Sequence, residues 1–231
     1  ARVVGLPTPG TELLMVESDG KREVRVRGPQ VTPGYWKNPH QTMRAFDAEG
    51  FYRIGDAMKF LNEERPEAGL VFDGRVAEDF KLSSGTWVSV GTLRPEFLTH
   101  TADLLTDAVL CGHDRDAIAA LCIPNLQTVA ALSADLPDEA ALEERLAHPA
   151  VRAALAAALA QHNEANPSNR TRIARARFTA APLSIDRGEI TDKGYVNQRA
   201  VLEHRAAEIE ALLEGDRASI APAMSSADAL G

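Results

Sequence analysis

Cysteine, long apolar runs and excess positive charge are all scarce in this sequence, and each scarcity excludes a class of protein. The 231 residues include only two cysteines, Cys111 and Cys122, which are too few for a disulfide framework and favour a reducing cytosol. No apolar run approaches the roughly 18 residues that a membrane-spanning helix needs. The formal charge is −8 and the isoelectric point is about 5.3, which argues against nucleic acid or an anionic membrane as a partner. We therefore expect a cytoplasmic protein with neither of these partners.

The sequence also lacks an initial methionine, and residues 1–10 carry no basic-then-apolar signal pattern. It enters directly into the glycine- and proline-rich segment Gly5 to Gly10, which is typical of a connection between elements. We interpret the chain as a piece of a longer protein.

The composition that is present, with 45% hydrophobic and 25% charged residues, is that of a globular protein of one to two domains. Short strands are predicted at 12–16 and 23–27, which together form a hairpin, and at 108–111, 117–123 and 175–179. Helices are predicted at 93–104, 138–162 and 195–213. Within the second of these, Pro149 suits a first-turn position, and Val151, Leu155 and Leu159 lie on one helix face. The fold class is therefore predicted as α+β. The predicted boundaries give a β-rich segment over 1–73, a junction over 74–80, an α+β domain over 81–214 and a disordered tail over 215–231.

Two clusters of polar residues lie near the predicted junction. Asp56 follows a glycine at the predicted end of a strand, and its two carboxylate oxygens match the vicinal hydroxyls of a ribose. The alternative is a turn aspartate that caps its own backbone. Further along, Gly74 permits a sharp turn and Arg75 offers a planar fork of donors. The alternative there is a charged, solvated linker.

A third cluster runs from Asp186 to Tyr195 and contains Lys193, which has small or polar neighbours. A mobile ammonium at this position can neutralise charge that develops on a phosphate or a carboxylate. The alternative is that Thr191 or Asp192 caps the following helix and that Lys193 is simply exposed.

Taken together, the order and spacing of the three clusters resemble the adenylate-forming superfamily of acyl- and aryl-CoA synthetases, adenylation domains and luciferases. In that family a tyrosine–arginine–x–glycine–aspartate motif precedes a glycine–arginine motif and, near the C-terminus, a glycine-containing loop with a lysine. Residues 23–36 resemble the strand and aromatic loop that come before these motifs, and residues 69–94 look most like the feruloyl-CoA synthetase branch. The resemblance extends from about residue 5 to residue 213.

This resemblance implies a β-rich remnant of a large N-terminal domain, followed by a small C-terminal domain with a short central sheet flanked by helices. It implies an acid–thiol ligase that uses ATP with Mg²⁺ to form an acyl-adenylate, and then transfers the acyl group to CoA. The implied partners are the missing N-terminal domain of the same polypeptide and a small aromatic carboxylic acid.

The resemblance also assigns roles to individual residues. Asp56 would hold the ribose hydroxyls of ATP, and Arg75 would assist there. In the family the small C-terminal domain swings on a hinge between the two half-reactions. Lys193 would reach the reacting carboxylate and the α-phosphate only in the orientation that serves adenylation. The loop that faces the active site during thioester formation would contain Lys81, Gly85 and Trp87.

Three departures from the family pattern affect these assignments. In the family the hinge between the two domains lies two residues after the arginine and is commonly aspartate or lysine, whereas this chain has Ala77 there. Because Gly85 lies one position later than the usual loop spacing, Glu78 or Asp79 is the alternative hinge residue. The terminal motif is not the common serine–glycine–lysine form, although Lys193 is the only lysine after Lys81. The family's phosphate loop and acid pocket have no counterpart in the sequence, so we expect a C-terminal fragment that is inactive alone.

Two other interpretations stay open. One is an adenylating enzyme whose acceptor is a carrier-protein thiol, and the other is a non-catalytic interaction module of the same fold. We predict no metal site, because Cys111 and His113 have no second pair of ligands at usable spacing.

Overall fold

The computed structural model describes residues 3–18, 21–76, 78–191 and 193–223, and the chain divides into two compact units, Ala1–Asp79 and Phe80–Gly231. The strands are β1 (Val3–Gly5), β2 (Glu12–Ser18), β3 (Lys21–Arg27), β4 (Tyr52–Phe60), β5 (Leu70–Arg75), β6 (Phe80–Lys81), β7 (Trp87–Val88), β8 (Leu105–Cys111), β9 (Ile118–Pro124) and β10 (Ile173–Phe178). The α-helices are α1 (Pro39–Ala45), α2 (Val90–Thr99), α3 (Leu126–Leu132), α4 (Leu142–Ala147), α5 (Pro149–Ala165), α6 (Gln198–His204) and α7 (Ala206–Glu214). This confirms the predicted α+β class.

The first unit is built on a five-stranded sheet with the order β1-β5-β4-β3-β2, in which neighbouring strands are antiparallel. β2 and β3 form the predicted hairpin, in register from Glu12 opposite Arg27 to Ser18 opposite Lys21. Polar and apolar residues alternate along β3, so one face of the sheet takes most of the apolar side chains.

The second unit is built on a three-stranded sheet with the order β10-β9-β8. β8 and β9 are antiparallel, whereas β10 runs parallel to β9 after a crossover through α3, α4 and α5. Successive residues of β8 contribute to two different hydrophobic clusters, as expected when side chains alternate between the faces of a sheet. One cluster includes residues of α2 and α5, and the other includes residues of α6 and α7. This is the short central sheet flanked by helices that the sequence predicts.

The helical patterns of the sequence correspond to helices whose ends differ from the prediction. α5 begins at Pro149 as predicted, and Val151, Leu155 and Leu159 are fully buried along one face. The predicted last helix over 195–213 is instead two helices, α6 and α7, because the backbone leaves helical geometry at Arg205.

The predicted tail begins with ordered residues, so that prediction is wrong for its first part. Ile220 is buried and exchanges two backbone hydrogen bonds with Ala176 of β10, at 2.9 and 2.7 Å. A single large apolar residue therefore anchors a segment whose composition of small and polar residues suggested disorder. Residues 224–231 of the predicted tail lie outside the described residues.

The boundary between the two units falls between Asp79 and Phe80, inside the segment 74–80 that the sequence predicts as a junction. Ala77, one of the predicted hinge residues, lies outside the described residues, and a hinge role for this segment stays a prediction. Among the helices of the described part of the chain, none is both long and apolar enough to cross a bilayer.

Candidate functional site

Asp56 and Arg75 face each other across neighbouring strands of the first unit. They are register partners in β4 and β5, and the Arg75 Nε lies 3.6 Å from Oδ1 of Asp56. The register shifts between Asp56 and Met58, and the preceding Gly55 has a φ of +77°, a backbone conformation that glycine adopts without strain. Asp56 therefore lies at an irregularity inside a nine-residue strand, and the predicted strand end at this residue is wrong.

One oxygen of the Asp56 carboxylate is buried but accepts no hydrogen bond from the described residues. The side chain of Asp56 is 28% exposed, and the buried oxygen is Oδ1. The 3.6 Å separation from Arg75 Nε is too long for a hydrogen bond. Burial raises the pKa of Asp56, and the Arg75 guanidinium partly opposes that rise. A buried acceptor without a donor requires an explanation, and a hydroxyl group of a ligand is a donor that fits it.

The segment after Arg75 is held to the first unit by several contacts. The backbone N–H of Val76 donates to the Gly55 carbonyl at 3.0 Å. Lys21 forms an ion pair with Asp79, whose side chain is only 5% exposed, and also donates to the Asp73 carbonyl. Of the predicted hinge residues, Asp79 is thus attached to the sheet by its side chain.

Lys81, Gly85 and Trp87 belong to one small hairpin of the second unit, formed by β6 and β7. Lys81 pairs with Trp87 in register, and its Nζ lies 4.8 Å from the centre of a Trp87 ring, which is a cation–π contact. The loop between the strands is closed by a bond from the Gly85 N–H to the Leu82 carbonyl at 2.8 Å. The structure therefore brings together the three residues that the resemblance assigns to the thioester-forming loop.

A second loop of the same unit supports this hairpin. The Asp114 N–H donates to the Lys81 carbonyl and the Ser83 N–H donates to the Arg115 carbonyl, both at 2.9 Å. The Ser83 hydroxyl donates to Asp116 at 2.6 Å. The loop between β8 and β9 thus fixes the backbone on which Lys81 is placed.

Lys193 lies in the turn of a separate short hairpin that precedes α6. Ile190 and Val196 form an isolated antiparallel bridge, and the Thr191 N–H donates to the Tyr195 carbonyl at 2.8 Å. Gly194, with a φ of +81°, allows the turn to close in the left-handed region. Lys193 is exposed, as required of an ammonium that engages a group outside its own unit.

Thr191, one of the two residues suggested as the helix cap, is not observed in that role. Asn197 caps α6, because its side chain accepts from the Ala200 N–H at 3.3 Å. The Thr191 hydroxyl oxygen accepts from the Tyr195 N–H inside the hairpin, and Asp192 lies outside the described residues. The segment before α6 is therefore a structured hairpin and not an extended cap.

The base of the Lys193 hairpin contains a buried ion pair that the sequence interpretation did not assign. Glu189 accepts from Arg205 Nε and Nη2 at 3.1 and 2.9 Å, and the two side chains are 1% and 9% exposed. Hydrogen bonds from Arg205, assisted by the Ser184 N–H, lower the pKa of Glu189 to about 2. No local pattern predicts this pair, because its partners are separated by 16 residues.

At the other end of the hairpin, Gln198 is buried and joins α6 to the sheet. Its side-chain carbonyl accepts from the Leu110 N–H of β8 at 2.9 Å. This contact spans 88 residues of sequence, and so it also had no signal in the sequence.

The described residues contain no group of three or more histidine, cysteine, aspartate or glutamate side chains arranged to hold a metal ion. Cys111 and Cys122 are both free and buried, and burial raises the pKa of the Cys111 thiol to about 12. Both cysteines therefore serve as packing residues of the central sheet.

Comparison with known proteins identifies the family of the second unit. A family model described as the AMP-binding enzyme C-terminal domain matches residues 93–217, which is more than half of the chain. The chain belongs to this AMP-binding C-terminal domain family. The match includes the Lys193 hairpin and the central sheet on which it is built.

Individual relatives agree with this family. A long-chain-fatty-acid–CoA ligase of Mycobacterium tuberculosis is 30% identical over 220 residues, which are 90% of this chain and 33% of the relative. The salicyl-AMP ligase / salicyl-S-ArCP synthetase of the same organism is 33% identical over 108 residues, or 44% of this chain and 18% of the relative. The chain therefore spans about a third or less of the length of these relatives.

A solved structure shares the fold. The adenylation domain of a carboxylic acid reductase from Segniliparus rugosus, in complex with AMP and a co-purified carboxylic acid, has a TM-score of 0.71 at 21% identity. The similarity covers 91% of this chain and 32% of that chain. Together with the family model, these relatives confirm the adenylate-forming superfamily predicted from the motifs, whereas the feruloyl branch stays a prediction.

Proposed function

We propose that this chain is the C-terminal portion of an ATP-dependent acid–thiol ligase that acts on a small aromatic acid such as ferulate. In the first half-reaction a carboxylate oxygen attacks the α-phosphate of ATP, giving an acyl-adenylate and pyrophosphate. In the second, the CoA thiol attacks the acyl carbon and AMP leaves, giving the thioester. The observation that carries the proposal is the family match over 93–217, which includes the exposed Lys193.

The first unit contributes to nucleotide binding in this proposal. Asp56 presents a buried oxygen without a donor and Arg75 stands 3.6 Å from it. The two hydroxyls of a ribose supply the donors that the carboxylate lacks. Such a contact favours the charged form of Asp56, and so it offsets the desolvation that raises the pKa of this residue in the free chain.

Lys193 acts on the reacting groups in the first half-reaction. Its ammonium is a compact charge on a flexible stem at the tip of a hairpin. When the second unit closes over the bound acid and ATP, this charge stabilises the transition state in which negative charge builds up around the α-phosphate. Without Lys193 the second half-reaction proceeds normally, because it uses the Lys81 hairpin.

The Lys81 hairpin lines the path of the CoA thiol in the second half-reaction. Its indole ring and its ammonium are held against each other by the cation–π contact, so the surface that it offers is already ordered. Mg²⁺ enters with ATP and is bound mainly by phosphate oxygens and water. We place the enzyme in the cytosol, where its two free cysteines stay reduced.

The thiol that accepts the acyl group could belong to a carrier protein instead of CoA. The relative named salicyl-AMP ligase / salicyl-S-ArCP synthetase supports the version of this proposal in which a carrier-protein thiol replaces CoA. The adenylation step and the roles of Asp56 and Lys193 are the same in both versions.

The test uses the full-length enzyme that contains this chain. ATP–pyrophosphate exchange is measured with ferulate, salicylate and a long-chain fatty acid, and thioester formation is measured with CoA and with a carrier protein. We expect exchange to be fastest with ferulate and thioester to form on CoA. Lys193→Ala should lower exchange on the order of a hundredfold or more.

The matched control is Arg199→Ala, which removes another exposed cation of the same unit, one whose side chain is 76% exposed. It should leave exchange unchanged. Equal exchange by the wild type and Lys193→Ala would refute the role of this lysine. Robust thioester formation by the 231-residue chain alone would refute the division of labour between this chain and the rest of the enzyme.

A further inference from the structure

The Lys193 hairpin begins next to a buried carboxylate, Glu189. The side chain of Glu189 is 1% exposed, and its pKa is lowered. Glu189 directly precedes the first hairpin residue, Ile190. Besides its two bonds to Arg205, its Oε2 accepts from the Ser184 N–H at 2.8 Å. Its backbone N–H donates to the Ser184 carbonyl, and its backbone carbonyl accepts from the Asn197 N–H, both at 2.9 Å. One residue therefore fixes the start of the hairpin and, through Asn197, its end.

Arg205 completes this arrangement from the break between α6 and α7. Its guanidinium donates to the Thr179 hydroxyl at 2.6 Å and to the carbonyls of Ala181 and Pro182, both at 2.9 Å. These three residues belong to the segment that follows β10. Arg205 thus ties the hairpin base to the end of the central sheet, and its fork of donors is fully used.

The pair joins three separate segments of the second unit: the residues that follow β10, the start of the Lys193 hairpin, and the break between α6 and α7. Removal of one partner of a buried ion pair destabilises the fold, because the other charge is left buried and unpaired. The rigid, bidentate geometry of the pair also fixes the position of the backbone to which it is attached.

We propose that Glu189 and Arg205 are a positioning pair that holds the Lys193 hairpin in the geometry needed for the adenylation half-reaction. This inference rests on the proposed function of Lys193. Neither residue touches substrate, and both act through the hairpin. Their loss therefore affects the step that uses Lys193 and spares the step that uses the Lys81 hairpin.

The experiment compares the two half-reactions in the full-length enzyme carrying Glu189→Gln. Adenylation is followed by ATP–pyrophosphate exchange, and thioester formation is followed separately from a synthetic acyl-adenylate and CoA. We expect exchange to fall on the order of a hundredfold, as misplacement of a reacting group by about 1 Å does. We expect thioester formation from the supplied adenylate to be unchanged. Parallel loss in both assays, or loss in neither, would overturn the proposal.

Arg205→Lys is the second variant, because it keeps the charge and the fold while removing the bidentate geometry. Asp107→Asn is the matched control. It breaks another carboxylate–arginine pair of the same unit, in which Arg94 Nε donates to Asp107 at 2.6 Å and the side chains are 19% and 17% exposed. Arg205→Lys should reproduce the selective loss of exchange, and Asp107→Asn should not. Selective loss of exchange in the control would equally overturn the proposal.

A second readout needs no activity and uses the 231-residue chain. Trypsin cleaves after Lys193, and the rate of that cleavage reports on the order of the hairpin. Glu189→Gln and Arg205→Lys should accelerate this cleavage on the order of tenfold relative to wild type and Asp107→Asn, since local opening exposes the peptide. Unchanged cleavage would contradict the positioning role.

The Lys193 variant and the two variants of the pair together distinguish a failure of this inference from a failure of the proposed function. If Lys193→Ala leaves exchange intact, the proposed function fails, whatever the proteolysis shows. If Lys193→Ala abolishes exchange while folded Glu189→Gln and Arg205→Lys retain it, the positioning inference fails and the proposed function stands.

Discussion

The two units bury their apolar residues in different ways. In the second unit, helices cover the three-stranded sheet on both faces, and many side chains there are fully buried. The first unit has the larger sheet, of five strands, but a much smaller core. Within the described residues, its buried apolar side chains are Val24, Phe51, Ala57, Leu70 and Val71.

This difference follows from how a sheet acquires a core. A sheet needs a second layer against its apolar face, and a helix is the usual supplier when the unit is small. Within its described residues, the first unit has only the seven-residue α1 and one short 3₁₀ segment as helices, and α1 has no buried residue. Leu13, Val26, Ile54 and Met58 therefore line an apolar groove. We therefore expect the second unit to fold by itself and the first to be much less stable alone.

The strongest test of this comparison is to separate the units. Residues 80–231 expressed alone should unfold in urea in a single cooperative transition. Residues 1–79 alone should show none, because too little apolar surface is buried to offset the entropy of ordering the chain. Circular dichroism and hydrogen exchange measure both. A cooperative transition of 1–79 would show that its sheet is stable without a second layer.

Core substitutions should differ between the units. Leu155→Ala truncates a fully buried side chain of α5 and should lower the free energy of unfolding by about 2–5 kcal/mol. Ile54→Ala removes a similar side chain from the half-exposed sheet of the first unit, and we expect about 1 kcal/mol or less. Urea titration monitored by circular dichroism provides both values. Equal losses would mean that the first unit has a core as tight as the second.

The pH dependence of unfolding of the second unit should depend on Glu189. Its pKa is about 2 in the folded chain against an ordinary value of 4.5. The lowered value adds stability that is fully present above pH 4.5 and is lost as the pH falls towards 2, on the order of 3 kcal/mol. Urea midpoints of residues 80–231 from pH 6 to pH 2 measure it.

Glu189→Gln should be less stable at neutral pH and should lose this part of the pH dependence. The control is Glu203→Gln, which removes a carboxylate that is 59% exposed and paired with Arg199. Its pH profile should follow that of the wild type, because exposed ion pairs contribute little. A profile of Glu189→Gln that coincides with wild type would rule out this carboxylate as the source.

The smallest expected effect concerns Asp56. Because burial raises the pKa of this carboxyl group, its charged form is destabilised in the folded chain. Asp56→Asn removes that cost, so the free energy of unfolding at pH 7 should stay the same or rise by less than about 1 kcal/mol. Exchange activity of the full-length enzyme should nevertheless fall. A clear loss of stability would mean that Asp56 is a structural residue.

Local patterns of the sequence predicted much of the second unit. The buried strands β8 and β9, the start of α5 at Pro149 and the stripe through Leu155 are all signalled by runs and periods that a few neighbouring residues define. The same is true of the hairpin of β2 and β3. These elements are determined by which side chains the local backbone can bury together.

The features that were not predicted depend on contacts between distant residues. The helical period continues through residue 205, but the backbone leaves helical geometry at Arg205, whose side chain binds Glu189. Ile220 is ordered because Ala176, 44 residues earlier, offers a free strand edge. Asp56 lies inside a strand because β5 pairs on both sides of the bulge. In the candidate site, the motifs point to Asp56, Arg75 and Lys193, whose roles stay predictions. The buried pair of Glu189 and Arg205 had no signal in the sequence.

The short bridge at Ile220 also affects how much of the sheet edge is open to pairing with other molecules. β10 lies at the rim of the three-stranded sheet, and an unprotected rim strand invites a strand of another molecule to pair with it. The two backbone hydrogen bonds between Ile220 and Ala176 occupy that rim in its middle. Ile220 thus covers part of this strand edge, and we expect a shortened version ending at Glu214 to leave that edge open to pairing with other molecules.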